Sequence, residues 1–247
     1  MKIKNILISQ PKPADIEKSP YSLLAKKYKV KIDFHKFITI KGVSAVEFRK
    51  DRVGILEHTA VIFTSRNAID HYFRMAKDMR LEVPDSMKYF CASEAIAYYL
   101  QKYVTYRKRK IFYGRGNFQG LMDVILKHKT DQYLMPCSDI YKQDLPNLLE
   151  KNKIKFSKAV IYKTLASDLS KVDIQGYDML VFFSPTGVSS LFKNFPDYEQ
   201  GDTVIACFGP TTAAAVTEAG LRLDIKAPTK TAPSMTMALE EFIKANS

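Results

Sequence analysis

Short apolar runs rich in β-branched and aromatic residues recur along the chain. They lie at Asn5–Ser9, Ala60–Ser65, Lys88–Ala92, Lys110–Tyr113, Gln132–Pro136, Ser157–Ile161, Met179–Ser184 and Thr203–Phe208. Each has the length and composition of a buried strand. Between them apolar residues fall three and four apart, as in Ala68-Ile69-Tyr72-Phe73-Ala76, Leu121-Val124-Ile125 and Met237-Leu239-Phe242-Ile243. That spacing predicts helices with one buried face. Strand alternating with helix predicts an α/β architecture with parallel sheets, and the number of strands predicts two sheets rather than one.

The pattern also repeats. Val61-Ile-Phe-Thr-Ser-Arg-Asn-Ala-Ile-Asp-His-Tyr-Phe73 aligns with Leu180-Val-Phe-Phe-Ser-Pro-Thr-Gly-Val-Ser-Ser-Leu-Phe192, with Phe63/Phe182, Ser65/Ser184 and Phe73/Phe192 identical. Phe90–Ala97 then corresponds to Cys207–Ala214, and the stretch at Asn117 to that at Ala232. The first copy continues with Tyr133-Leu-Met-Pro136 and Lys155–Thr164. The second copy has no chain left for this unit, whose counterpart is Ile6-Leu-Ile-Ser-Gln-Pro11 followed by Lys29–Thr39. The repeat therefore predicts two similar parallel-sheet α/β domains, one inserted in the other. The first comprises residues 1–38 and 166–247 and is split across the chain ends; the second spans 44–162. Residues 39–43 and 163–165 are expected to form a two-stranded β connection, with a cleft between the domains. Ligands of such sheets bind beyond the carboxyl ends of the strands.

Composition narrows the class. Apolar residues are 46% of the 247, which excludes a disordered chain, and 10 Gly with 11 Pro exclude a collagen-like one. Three widely spaced cysteines, Cys91, Cys137 and Cys207, exclude a disulfide scaffold and fit small buried residues in a reducing cytoplasm. The apolar run at Met1–Gln10 is too short for a secretory signal. The longest uncharged stretch, Thr203–Thr217, is too short to span a bilayer and contains Gly209-Pro210. A soluble cytoplasmic protein without a membrane partner is expected.

Charge is uneven. The chain carries 38 Lys+Arg against 26 Asp+Glu, and most of the +12 excess falls between residues 41 and 164. Basic surface attracts polyanions: nucleic acid, an anionic membrane or a small polycarboxylate or phosphate. The densest run, Tyr106-Arg-Lys-Arg-Lys110, lies in no nucleic-acid module and reads as a solvated surface.

Three places carry candidate chemistry. Ser65-Arg66-Asn67, Ser184-Pro185-Thr186 and Gly209-Pro210-Thr211-Thr212 each end an apolar strand and open a helix. Ser and Pro suit the first helical positions, and free N–H groups with the positive end of the helix dipole then face the ligand side. Plain capping accounts for any one of them; several on one rim beside a basic domain point to anion binding. Gly114-Arg-Gly-Asn-Phe-Gln-Gly120 has the spacing GxGxxxG rather than GxGxxG and is not read as a dinucleotide turn. The histidines His35, His58, His71 and His128 have no metal-ligand spacing.

Val181-Phe-Phe-Ser-Pro-Thr-Gly-Val188, Cys207-Phe-Gly-Pro-Thr-Thr-Ala-Ala214, Ala219-Gly-Leu221 and Ala227-Pro-Thr-Lys-Thr-Ala-Pro-Ser234 together resemble the uroporphyrinogen-III synthase family. Phe63-Thr-Ser-Arg-Asn-Ala68, Gly120-Leu121 and Val160-Ile-Tyr-Lys163 add weaker matches. The resemblance implies two α/β domains joined by a two-stranded ladder. It also implies cyclisation of hydroxymethylbilane, a linear tetrapyrrole polycarboxylate, to uroporphyrinogen III with inversion of the terminal pyrrole. It implies no metal or cofactor, a monomer, and a small-molecule rather than a nucleic-acid partner. Residue by residue, it implies that Tyr162 assists departure of the hydroxyl. Substrate contacts are expected at Ser65, Arg66, Asn67, Ser93, Asn117, Ser184, Thr186, Gly209, Thr211 and Thr212.

The family pattern is departed from at three places. Ser9-Gln10-Pro11 stands for Thr-Arg-Pro, Ala92-Ser93-Glu94-Ala95-Ile96 for Gly-x-x-Thr-Ala, and Cys137-Ser138-Asp139 for a glycine-rich turn. Either Arg66, Arg115 and Lys142 compensate, or the substrate differs, or catalysis is gone. The alternatives to the enzyme are a non-catalytic tetrapyrrole- or polycarboxylate-binding relative and a nucleic-acid-binding protein.

Overall fold

The computed structural model describes residues 3–115 and 117–246. Gly116, the central glycine of the Gly114–Gly120 stretch, lies outside them, as do Met1 and Lys2 of the N-terminal run. In chain order the elements are β1 (Asn5–Ile8), α1 (Pro20–Tyr28), β2 (Lys31–Phe34), β3 (Ile38–Gly42), α2 (Ala45–Phe48), β4 (Ala60–Phe63), α3 (Arg66–Asp78) and β5 (Lys88–Cys91). Next come α4 (Glu94–Leu100), β6 (Ile111–Tyr113), α5 (Phe118–Ile125), β7 (Tyr133–Ser138), α6 (Asp144–Lys151) and β8 (Phe156–Ala166). The chain ends with β9 (Met179–Phe182), α7 (Pro185–Asn194), β10 (Val204–Phe208), α8 (Pro210–Glu218), β11 (Ile225–Ala227) and α9 (Met235–Ala245). It divides into two compact units, Met1–Thr39 with Leu165–Ser247, and Ile40–Thr164.

The sheets have orders β11-β10-β9-β1-β2 and β3-β8-β7-β4-β5-β6. Read from β6, the second runs β6-β5-β4-β7-β8, which is the first with β7 and β8 in the places of β1 and β2. The repeat seen in the sequence is thus a repeat of strand order. Parallel pairing runs through the whole first sheet and from β8 to β6 in the second. Each sheet is covered on both faces. In the inserted unit Val61, Phe63, Ile69, Tyr72 and Leu134 form one core with α3 and α4. Ile62, Phe90, Met122, Met135 and Leu149 form the other with α5 and α6. In the split unit the corresponding cores lie against α1 and α9, and against α7 and α8. Fully burying one such side chain contributes about 1.5–3 kcal/mol, so two-sided burial is what selects continuous apolar runs over alternation here.

Every strand read from the sequence is present, with ends shifted by a residue or a few. Outside the apolar runs, β2 follows from the repeat and β3 from the expected β connection, whereas none of these predicts β11. It is three residues long, lies at a sheet edge and alternates buried, exposed, buried, so it offers no apolar run to read. Cys91, Cys137 and Cys207 are buried free thiols. The Tyr106–Lys110 run is mostly exposed chain between α4 and β6. Among the described residues no helix is long and apolar enough to cross a membrane.

Candidate active site

Parallel strands deliver the starts of α3, α4, α5, α7 and α8 beyond the carboxyl ends of β4, β5, β6, β9 and β10. Ser65 caps α3, its Oγ accepting from the Ala68 N–H at 3.1 Å. Ser184 caps α7 in the same way through the Gly187 N–H, also at 3.1 Å. Asn117 caps α5 through the Gly120 N–H at 2.7 Å. Ser93 stands at the N-cap of α4 with its side chain not used in capping. Gly209 precedes α8 with φ +90°, a backbone open only to glycine. The remaining N–H groups of these first turns have no helical partner, and the dipole there favours negative charge.

Side chains at these ends divide by exposure. Arg66 and Asn67 are exposed, with the Arg66 guanidinium 5.2 Å from the centre of the Tyr99 ring. Thr186 is half-buried and Thr211 exposed, whereas Thr212 is 1% exposed and faces inward from α8. Behind Ser184, a Cβ on Gly187 would meet the Ser184 and Ser9 hydroxyl oxygens at ordinary contact, 3.4 and 3.7 Å. The end of β1 and the first turn of α7 therefore meet closely.

Tyr162 lies in the inserted unit, on β8. Its hydroxyl is 3.3 Å from the Ser65 Oγ, with either able to donate. Its ring stacks on His71 of α3, centroids 5.1 Å apart and planes 20° from parallel. Burial pushes the Tyr162 phenol above its usual pKa, so it stays protonated at neutral pH. Tyr162 and Ser65 share the wall of a cavity of about 310 Å³ with Thr64, Phe118, Cys137, Ser138, Tyr141 and Lys142. Apolar Met135, Leu145 and Pro146 add to a lining that mixes apolar side chains with a few polar ones, as small-molecule sites do. A larger cavity, about 530 Å³, lies at the opposite ends of β5 and β6 and holds none of the candidate residues.

Position 139 is occupied in an orderly way. Ser138 Oγ donates to Asp139 Oδ1 at 2.8 Å and lies 3.0 Å from Thr164 Oγ1, while the Thr164 and Ile140 N–H groups donate to the same carboxylate. Burial pulls the Asp139 carboxyl up, but these donors outweigh it and hold its pKa below the ordinary value. Beside it, the Lys158 ammonium contacts Tyr141 and lowers the pKa of that phenol. Glu94 accepts from the Tyr113 hydroxyl at 3.1 Å. Among the described residues no cluster of His, Cys, Asp and Glu is placed to hold a metal ion.

The structure thus brings Tyr162 and Ser65 together, with Arg66 and Asn67 in the adjoining turn. Ser93 and Asn117 head the neighbouring helices of the same unit, and Ser184, Thr186, Gly209, Thr211 and Thr212 belong to the other. Sequence reasoning missed His71 and Arg74. A histidine and an arginine three apart share a helix face with Ala68, and that was the available signal.

The family model for uroporphyrinogen-III synthase HemD matches residues 36–237. Uroporphyrinogen-III synthetase from Helicobacter pylori is similar in structure, with TM-score 0.63 and 16% identity over 98% of this chain and 100% of that one. A mutant uroporphyrinogen III synthase from the extremely thermophilic bacterium Thermus thermophilus is similar with TM-score 0.57 and 15% identity over 98% of both chains. At these identities the likeness speaks for the fold. A comparison with curated proteins gave no match.

Proposed function

The chain belongs to the uroporphyrinogen-III synthase family, and from that premise we propose that it closes hydroxymethylbilane to uroporphyrinogen III with inversion of the terminal pyrrole. Family and fold match an enzyme of tetrapyrrole biosynthesis. The observation that carries the reading to residues is the buried, protonated Tyr162 phenol beside Ser65 on the wall of a pocket at the carboxyl ends of the strands.

In this reading Tyr162 donates its proton to the departing hydroxyl while the pyrrole nitrogen supplies the electron pair that expels water. General-acid help of this kind contributes about 10²–10⁴-fold. The azafulvenium so formed is attacked by the terminal pyrrole at its substituted carbon. The resulting spirocycle opens and recloses with that ring inverted, and the proton released as the pyrrole regains aromaticity returns to the Tyr162 phenolate. The protein's main task is to hold the chain ends in reacting geometry. The acetate and propionate groups are received, in each unit, by helix starts: Ser65, Arg66, Asn67, Ser93 and Asn117 in one, and Ser184, Thr186, Gly209 and Thr211 in the other. Thr212, in the same first turn of α8, is the further contact there, through its backbone N–H because its side chain is buried. Lys142 at the pocket rim supplies a cation where the inserted unit departs from the family pattern. The protein acts as a cytoplasmic monomer on this small molecule, without nucleic acid and without a metal or cofactor.

The test is incubation with freshly generated hydroxymethylbilane and chromatography of the uroporphyrin isomers. Type III is expected above the type I that forms by spontaneous closure. Type I alone from folded protein overturns the activity. Tyr162→Phe is expected to lower turnover about 100-fold, within the range for a lost general acid, with the melting temperature little changed. Unchanged turnover removes Tyr162 from the mechanism.

A further inference from the structure

We infer that Arg74 and His71 are positioning residues for Tyr162: Arg74 clamps a bulge in β8 that turns Tyr162 toward α3, and His71 fixes the ring there. The inference rests on the reading of Tyr162 above.

β7 and β8 pair residue for residue from Tyr133 with Phe156 to Cys137 with Val160. Ser138 then pairs with Tyr162, so Ile161 is an extra residue. Alternation would send Tyr162 to the same face as Val160, which packs against the core under α5 and α6. With the extra residue, Tyr162 follows Ile161 into the core under α3. One inserted residue therefore decides which face of the sheet carries the phenol.

At the bulge the Ile161 carbonyl receives both a guanidinium and a backbone N–H. Arg74 Nη2 donates to the Ile161 carbonyl at 3.1 Å and to the Val43 carbonyl at 2.8 Å. The Val43 N–H donates to the same Ile161 oxygen. Nη1 is held by Asp78 at 2.7 Å, and Nε donates to His71 Nδ1 at 3.1 Å. A Cβ at Gly42 would lie 2.8 Å from Arg74 Cζ, so only glycine leaves room for the fork at this place.

Because His71 Nδ1 accepts, the ring is neutral with its proton on Nε2. Burial first, and the Arg74 charge second, keep the His71 pKa low, while Asp70 opposes them. Besides His71, the polar or charged groups facing Tyr162 are Ser65 at the N-cap of α3, with Cys137 and Asp139 from β7 and the turn after it. A neutral imidazole against the phenol leaves it a proton donor; an imidazolium there would ease its ionisation.

Two readouts decide the matter, steady-state isomer III formation and NMR of ring-labelled tyrosine, with the Tyr162 signals assigned by Tyr162→Phe. His71→Ala is expected to lower kcat about tenfold or more, since small misplacements of a reacting group cost up to about 100-fold. KM should change little, and His71→Phe, which keeps the stack, should restore most of the rate. Arg74→Met should shift the Tyr162 ring signals and lower the pH at which its phenol ionises. Gly42→Ala, which displaces the guanidinium while leaving every residue of α3 unchanged, should do the same and serves if Arg74→Met does not fold. In a Tyr162→Phe background none of these changes should cost further turnover. Unmoved Tyr162 signals in Arg74→Met or Gly42→Ala, or losses that add fully to that of Tyr162→Phe, overturn the inference. Full turnover in Tyr162→Phe alone refutes the catalytic reading instead, and the ring signals still decide the positioning.

Discussion

Replacing Ser65 by alanine removes two interactions through one oxygen. The first is the cap of α3, an N–H to Oγ bond of 3.1 Å; loss of such a cap costs about 1 kcal/mol, within a range of about 0.5–2. The second is the 3.3 Å contact to the Tyr162 hydroxyl. Its length places it at the weak end of about 0.5–1.5 kcal/mol for a net hydrogen bond. The expected loss is therefore about 1.5 kcal/mol, or a fall in melting temperature of about 4–7 °C for a unit of this size. Ser184→Ala provides the internal control, because it loses a cap of the same length and no tyrosine contact; about 1 kcal/mol is expected. Ser65→Thr keeps the capping oxygen and should recover most of the stability. Thermal unfolding followed by circular dichroism measures all three. The reasoning is refuted if Ser65→Ala melts with the wild type, or if Ser184→Ala is the more damaging of the two. In the isomer assay Ser65→Ala should also lower turnover, since Tyr162 loses its neighbour.

Two further outcomes follow from single positions. Gly209→Ala should destabilise by about 1–3 kcal/mol through backbone strain alone, because φ is +90° and nothing lies within 4 Å of the added methyl; chemical denaturation measures it. The low His71 pKa makes stability depend on pH: the folded state binds this proton less readily than the unfolded chain. The contribution is therefore complete above the ordinary histidine value near 6.5 and is lost as pH falls below it. The fall in melting temperature between pH 7 and pH 5 should be smaller in His71→Phe, and equal slopes would refute it.

Much of this protein is legible in one dimension. A parallel strand buried on both faces must be apolar throughout, so β4, β5, β9 and β10 stand out as runs. Capping is local chemistry, so Ser65 and Ser184 can be placed before any fold is known. The repeat gives two like units, because equal patterns bury equal faces, and the two sheets share one strand order. What the line of residues does not carry is the surroundings of Tyr162. The extra residue at Ile161 looks like any other position of an apolar strand. It becomes a bulge only when β8 is paired against β7. His71 and Arg74 read as an ordinary polar helix face until the carbonyls of Ile161, on β8, and Val43, just after β3, meet the guanidinium. β11 is a strand because β10 offers it an edge. Periodicity and capping are set by neighbours along the chain, whereas register, and with it the direction in which a phenol points, is set by a partner strand distant in sequence.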